Sequence, residues 1–147
     1  KSMANDALKR AEASAKACNC TVESSVYECP YGETILNEPL AKMLEEEFKA
    51  IGRDKIDPLN FKPSGSSDVG AVSFKCPTLH GYIQTADEAV TGHSRELADS
   101  TISEMGDKAL EDGAIALINI ATKLITDPKA LAQCKKAWTK SLKDNEA

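Results

Sequence analysis

The chain lacks most of the features that would announce a function. No apolar run approaches the roughly 20 residues that a membrane-spanning helix needs. No block of lysine and arginine interrupts it, and its formal net charge is −5. An acidic chain of this kind argues against nucleic acid and against an anionic membrane surface as partner. The first residues, Lys1 to Asp6, lack the apolar core of a signal peptide. Five cysteines are present, yet their spacing fits neither a disulfide framework nor a zinc knuckle. Cys18-Asn19-Cys20 is too tight for a structural zinc pair, and Cys29, Cys76 and Cys134 stand singly in apolar contexts. These absences read as a reduced, cytoplasmic protein. There are only two histidines, never at H-x-x-x-H spacing, and there is no internal repeat or low-complexity segment.

What is present suits an ordinary folded domain: 147 residues, 41% hydrophobic and 28% charged. The chain opens on Lys1, inside a helical pattern, and reads as a piece of something larger. Ala4, Leu8, Ala11, Ala15 and Cys18 recur at helical spacing, giving an amphipathic helix with a mostly alanine face. From Thr21 to Cys29 the pattern changes to alternation with β-branched residues, which predicts a strand with one wet face. Pro30 and Gly32 break that pattern, and a domain boundary is placed there.

Asn37 offers an N-cap to a helix with Pro39 in its first turn and Leu40, Met43, Leu44, Phe48 and Ile51 along its apolar stripe. Gly52 stands where a helix C-terminus favours positive φ. Val69–Phe74 and Thr78–Ile83 are short apolar runs that read as strands; Ser67 to Val72 reads equally as a short helix opened by Ser67. A long helical pattern starts at Ile102, and Asp127-Pro128 starts a last helix with Leu131, Cys134, Trp138 and Leu142 on its buried side.

Chemistry concentrates in Gly65-Ser66-Ser67-Asp68-Val69-Gly70 and in Gly92-His93-Ser94. The first lacks the lysine of a P-loop and the spacing of a nucleophile elbow. A Gly/Ser turn that runs into a helix or strand exposes backbone N–H groups suited to a carboxylate or oxyanion. The plainer reading is a tight turn with Asp68 as a capping residue. His93, beside glycine in a polar loop, has the placement of a metal ligand or of a simple exposed loop histidine. His80 lies within the Thr78–Ile83 run, where a histidine satisfied at a sheet end is the better reading.

Taken together, Gly65 to Ser73, Pro77-Thr78-Leu79-His80 and Gly92-His93-Ser94 resemble the C-terminal part of the metal-dependent amidohydrolases. That family groups aminoacylase, hippurate hydrolase, glutamate-releasing carboxypeptidase and aminobenzoyl-glutamate hydrolase, and the likeness is strongest to the last branch. The resemblance implies an α/β fold, with residues 30–147 as the C-terminal segment of a zinc-exopeptidase-like catalytic domain, its sheet flanked by helices. Residues 1–29 would be the closing helix and strand of an inserted α+β lid, through which the full-length enzyme forms a homodimer.

It further implies that His93 is the last ligand of a two-metal zinc or manganese site. Gly65, Ser66, Ser67 and Asp68 would border the pocket for a small amide or dipeptide substrate. The other ligands and a general-base glutamate would lie upstream, so the fragment alone is expected to be inactive. His80 matches a histidine of that branch and is given no role. Two rivals stand beside this reading: a non-enzymatic α/β dimerisation or interaction domain, and a small anion-binding protein that uses the Gly65–Gly70 turn.

Overall fold

A computed structural model describes residues 2–27, 32–57, 67–87 and 90–146. The chain divides into two compact units, Lys1–Pro30 and Tyr31–Ala147. In the first, α1 spans Ser2–Ala17. Its end is a Schellman cap: Asn19 takes φ 54, its N–H bonds the Lys16 carbonyl at 3.3 Å, and the Cys20 N–H bonds the Ala15 carbonyl at 2.8 Å. Asparagine tolerates this left-handed conformation better than most residues, and two of the last carbonyls are satisfied by it. Residues 21–27 follow without regular structure and exposed throughout.

The second unit is built on three helices: α2 (Glu38–Ala50), α5 (Glu104–Thr126) and α6 (Pro128–Glu146), with short helices α3 (Val69–Ser73) and α4 (Arg95–Ser100) between α2 and α5. The three long helices pack pairwise on one another. Leu40, Met43, Ala130 and Cys134 form the core cluster, and Leu79, Ile120 and Leu124 close over it. Asn37 caps α2 by accepting the Leu40 N–H at 3.3 Å, and Gly52 follows that helix at φ 83, a conformation glycine adopts without a Cβ clash. Asp127 ends α5 and caps α6 in one residue, its Oδ1 accepting from Lys129 N at 2.9 Å and Ala130 N at 3.3 Å.

The α/β expectation is overturned: the described residues contain helices, turns and irregular segments but no strand. Each failed segment has its own reason. At Val69–Ser73 the alternative reading, a short helix opened by Ser67, is the one that forms. Ser67 Oγ accepts the Val69 N–H at 3.2 Å, the Ala71 N–H bonds the Asp68 carbonyl at 2.9 Å, and the β-branched content yields. Thr78–Ile83 keeps its two-residue alternation, since His80 and Tyr82 stack with ring centroids 4.7 Å apart. It has no neighbouring strand, however, and a β ladder exists only between two. The same applies to residues 21–27, the described part of the expected lid strand, where Val26 and Tyr27 stand in solvent. The expected catalytic-domain sheet and the expected closing strand of a lid are therefore absent among the described residues.

Polar side chains tie the helices to the connections. Asn37, 1% exposed, also donates Nδ2 to the Cys134 carbonyl on α6 at 2.9 Å. Ser73, fully buried, donates Oγ to the Gly70 carbonyl at 2.6 Å and accepts the Ile35 N–H at 2.9 Å. The Ser73 carbonyl takes the indole N–H of Trp138 at 2.7 Å. Asp112 on α5 accepts Arg53 Nε at 2.9 Å and the Lys108 ammonium one turn earlier. Among the described residues no buried side-chain nitrogen or oxygen lacks a partner, as native interiors require.

The Lys108 hydrogen bond foremost, and that of Arg53 after the opposing effect of burial, hold the Asp112 carboxyl below its ordinary value of 3.8. The carboxylate is only 3% exposed, but its cover is thin, because the Lys108 side chain above it is 58% exposed.

Two outcomes follow from these ties. Asn37→Ala removes a cap and leaves a buried acceptor short of a donor, so it should lower unfolding stability by about 2–3 kcal/mol, read from a denaturant midpoint. A carboxyl depressed on folding stabilises above its unfolded pKa and loses that contribution as pH falls through the folded one. Stability should therefore decline below about pH 4, and Asp112→Asn should flatten that acid limb in a pH series of denaturant melts.

Candidate functional site

The Gly/Ser stretch meets the structure at Ser67, because Gly65 and Ser66 lie outside the described residues. Ser67 opens α3 through its Oγ. Asp68 occupies the N-cap position in a helical conformation, φ −68 and ψ −14, without a side-chain capping bond, and is exposed. Its carboxylate is available to solvent.

Gly70 has a different task. It is buried, and a Cβ placed there would overlap the Gly32 carbonyl oxygen and come within 3.1 Å of the Gly32 carbonyl carbon. The residue is glycine because two backbones meet there. This close approach positions α3 so that Ser73 reaches Ile35. The second glycine of the motif therefore shapes the wall that carries Ser67 and Asp68.

His93 lies on the turn that precedes α4, with φ 59, and is exposed. Ser94 immediately after it caps α4, its Oγ accepting the Leu97 N–H at 3.1 Å. The cap fixes the chain on the C-terminal side of the histidine, and the left-handed backbone carries the ring out of the helical line. Positive φ at a non-glycine residue is uncommon and disfavoured by its Cβ. The His93 ring has no hydrogen-bonding or ionic partner among the described residues. His80, also exposed, spends one face on Tyr82.

These groups do not form a metal centre by themselves. Among the described residues no cluster of three or more His, Cys, Asp or Glu side chains could hold an ion. Ser67, Asp68 and His93 share no hydrogen bond. Two surface depressions lie elsewhere, one along Lys136, Thr139, Lys140 and Lys143 of α6, the other between α2 and α6 near Lys42 and Lys129. None of Ser67, Asp68, His80 and His93 lines either.

Sequence reading missed Ser73 and Trp138 as the pair that fixes the wall behind Asp68. The serine was visible inside the motif, but its partners lie 38 and 65 positions away, and no local pattern connects them. No described helix is long and apolar enough to cross a membrane.

No family model matches the chain, and no solved structure matches it. Two curated proteins do. The chain is 29% identical over 139 residues to the Xaa-Arg dipeptidase of Mus musculus, a match covering 93% of this chain and 32% of that protein. It is 28% identical over 136 residues to the Xaa-Arg dipeptidase of Homo sapiens, covering 91% and 31%. The chain thus spans about a third of the length of the curated relatives it matches. The likeness supports a distant, coarse relation to dipeptide-cleaving hydrolases.

The packing at Gly70 generates a test of the wall. Gly70→Ala should force α3 away from Gly32, break the Ser73–Ile35 bond and destabilise the fold by roughly 2–4 kcal/mol. Thermal unfolding measures the loss, and an increase in Trp138 solvent quenching locates it.

Proposed function

We propose that this chain is part of a metal-dependent amidohydrolase that cleaves a dipeptide, an N-acyl amino acid or an aminobenzoyl-glutamate-like amide, and that His93 supplies one metal ligand. Support for the reaction class is the likeness to the two dipeptidases along more than nine-tenths of the chain. The observation that carries the site is His93 itself: an exposed imidazole on a positive-φ turn, fixed from behind by the Ser94 cap and without a partner among the described residues. A neutral imidazole in that position has a free nitrogen lone pair.

The donors among the described residues do not fit a catalytic ion, which needs about three protein ligands. In this reading the other ligands and a general-base glutamate belong to a longer polypeptide. A bound divalent pair, zinc or manganese, would acidify a water and polarise the scissile carbonyl. The chain's own residues hold and orient: His93 presents its ring, and Gly65, Ser66, Ser67 and Asp68 border the substrate. Residues 1–29 contribute to a lid that pairs two full-length copies in the cytoplasm. The rival is a non-enzymatic interaction module, which needs no metal ligands either in this chain or upstream of it.

The encoding gene separates the two. The enzyme reading requires upstream H-x-D or C-x-H and Glu-Glu or Glu-His pairs, and the module reading requires none. In the full-length protein, assayed on Xaa-Arg dipeptides, hippurate and aminobenzoyl-glutamate with Zn, Mn and Co, His93→Ala should cut kcat/KM roughly 10²- to 10³-fold. Metal analysis should show one ion lost. Stoichiometric zinc or manganese on the 147-residue chain, abolished by His93→Ala, would contradict the reading.

A further inference from the structure

Helix α3 is little more than one turn, the five residues Val69–Ser73, too short to hold a position by its own hydrogen bonds. The last carbonyls of any helix have no partner inside it, and the Ser73 carbonyl is such a group. If the helix continued, the N–H four residues on would take it. That residue is Pro77, which has no N–H to give. The N–H three residues on, that of Cys76, goes to the Val72 carbonyl at 3.2 Å. Ser73 is fully buried, so water does not serve the carbonyl either. Its donor is the indole N–H of the half-buried Trp138, 2.7 Å away on α6 and 65 positions along the chain.

The other fastenings of α3 lie on one neighbouring stretch. Gly70 meets the Gly32 backbone, and the Ser73 hydroxyl receives the Ile35 N–H at 2.9 Å. Two contacts to one stretch leave a rotation about the line between them, and the bond to α6 removes it. Ser67 and Asp68 stand immediately before the turn, at the end far from Ser73. Five residues of helix at 1.5 Å each separate Asp68 from Ser73 by about 7.5 Å. A tilt of about 10° at the Ser73 end therefore moves Asp68 by about 1.3 Å. A misplacement of about 1 Å in a group that positions substrate costs up to about 10²-fold.

We propose that Trp138 is a positioning residue for substrate binding: its indole N–H, bound to the Ser73 carbonyl, fixes the tilt of α3 and so sets the place of Asp68 against the substrate. The inference rests on the reading above, in which Ser67 and Asp68 border an amide substrate. Trp138 acts through α3 and not by contact. In that reading the wall binds and the metal pair activates water, so loss of the indole bond weakens binding and spares the chemical step. Such a loss is read in KM and not in kcat.

In the full-length protein, Trp138→Phe keeps an aromatic ring on α6 and loses the donor. With the best substrate of the panel above, KM should rise about 10-fold or more, with kcat within about two-fold and metal content unchanged. Two isosteres at position 138 separate the hydrogen bond from packing. Benzothienylalanine, with sulfur in place of the N–H, should reproduce the loss, and 5-fluorotryptophan, which keeps the N–H, should retain the wild-type KM. Independently of activity, the Val69–Ser73 amides of the 147-residue chain should exchange hydrogen about 10-fold faster in Trp138→Phe, while those of α2 and α5 keep their rates. A wild-type protein inert on every substrate of the panel overturns the amidohydrolase reading and the role of Trp138 with it. An active enzyme whose KM ignores Trp138→Phe, a benzothienyl isostere with the wild-type KM, or α3 amides that exchange at the wild-type rate would each overturn this inference alone.

Discussion

The Ser73 hydroxyl and carbonyl together hold the second unit in a single arrangement. In one fully buried residue a donor is spent on Gly70, one acceptor on Ile35 and another on Trp138 of α6. Helices satisfy their own backbone groups internally, but the connections between them do not. In a sheet the neighbouring strand would perform that service. Here buried side chains do so, and Asn37 plays the same part where the chain enters α2. The apolar core makes this dependence acute. Its buried members are small or few, with four alanines beside Ile35, Leu40, Met43 and Cys134. An alanine interface buries little area and selects weakly among neighbouring registers. Specific polar bonds then decide which register is occupied, because any slip leaves a desolvated group without a partner.

Local chemistry was the legible part of the fold. The Asn37 cap with Pro39 behind it, Gly52 after α2 and Asp127-Pro128 between α5 and α6 are short-range signals, and each element lies where its signal does. The expected strands were lost in two ways. Alternation at Thr78–Ile83 states how a segment would present its faces to a sheet, and the His80–Tyr82 stack shows that the faces are indeed sorted. It does not state that a second strand exists to receive the hydrogen bonds. At Val69–Ser73 the serine at position 67 and the glycine at position 70 favoured a turn of helix over extension. Ties such as Arg53 to Asp112, 59 positions apart, leave no trace in a linear pattern.

The candidate site divides along the same line. His93 between a glycine and a capping serine is a local arrangement, visible before folding. Its positive φ gives that arrangement physical content. Asp68 is similarly local, exposed at the head of α3. Sequence could not show how the wall under Asp68 is supported, because the support comes from Gly32, Ile35 and Trp138. The distant likeness to dipeptidases extends over about nine-tenths of the chain.

Cys134 has a consequence of its own. Its thiol is 1% exposed, whereas Cys18, Cys20 and Cys76 are open to solvent, and burial pushes it above the ordinary thiol range. Thiolate is the reactive form, so in the folded chain Cys134 is protected twice over, by cover and by protonation. Its carbonyl is also the group that Asn37 holds. Labelling at this one sulfur therefore works as a clock on the parting of α2 from α6, set by the chain's own sequence.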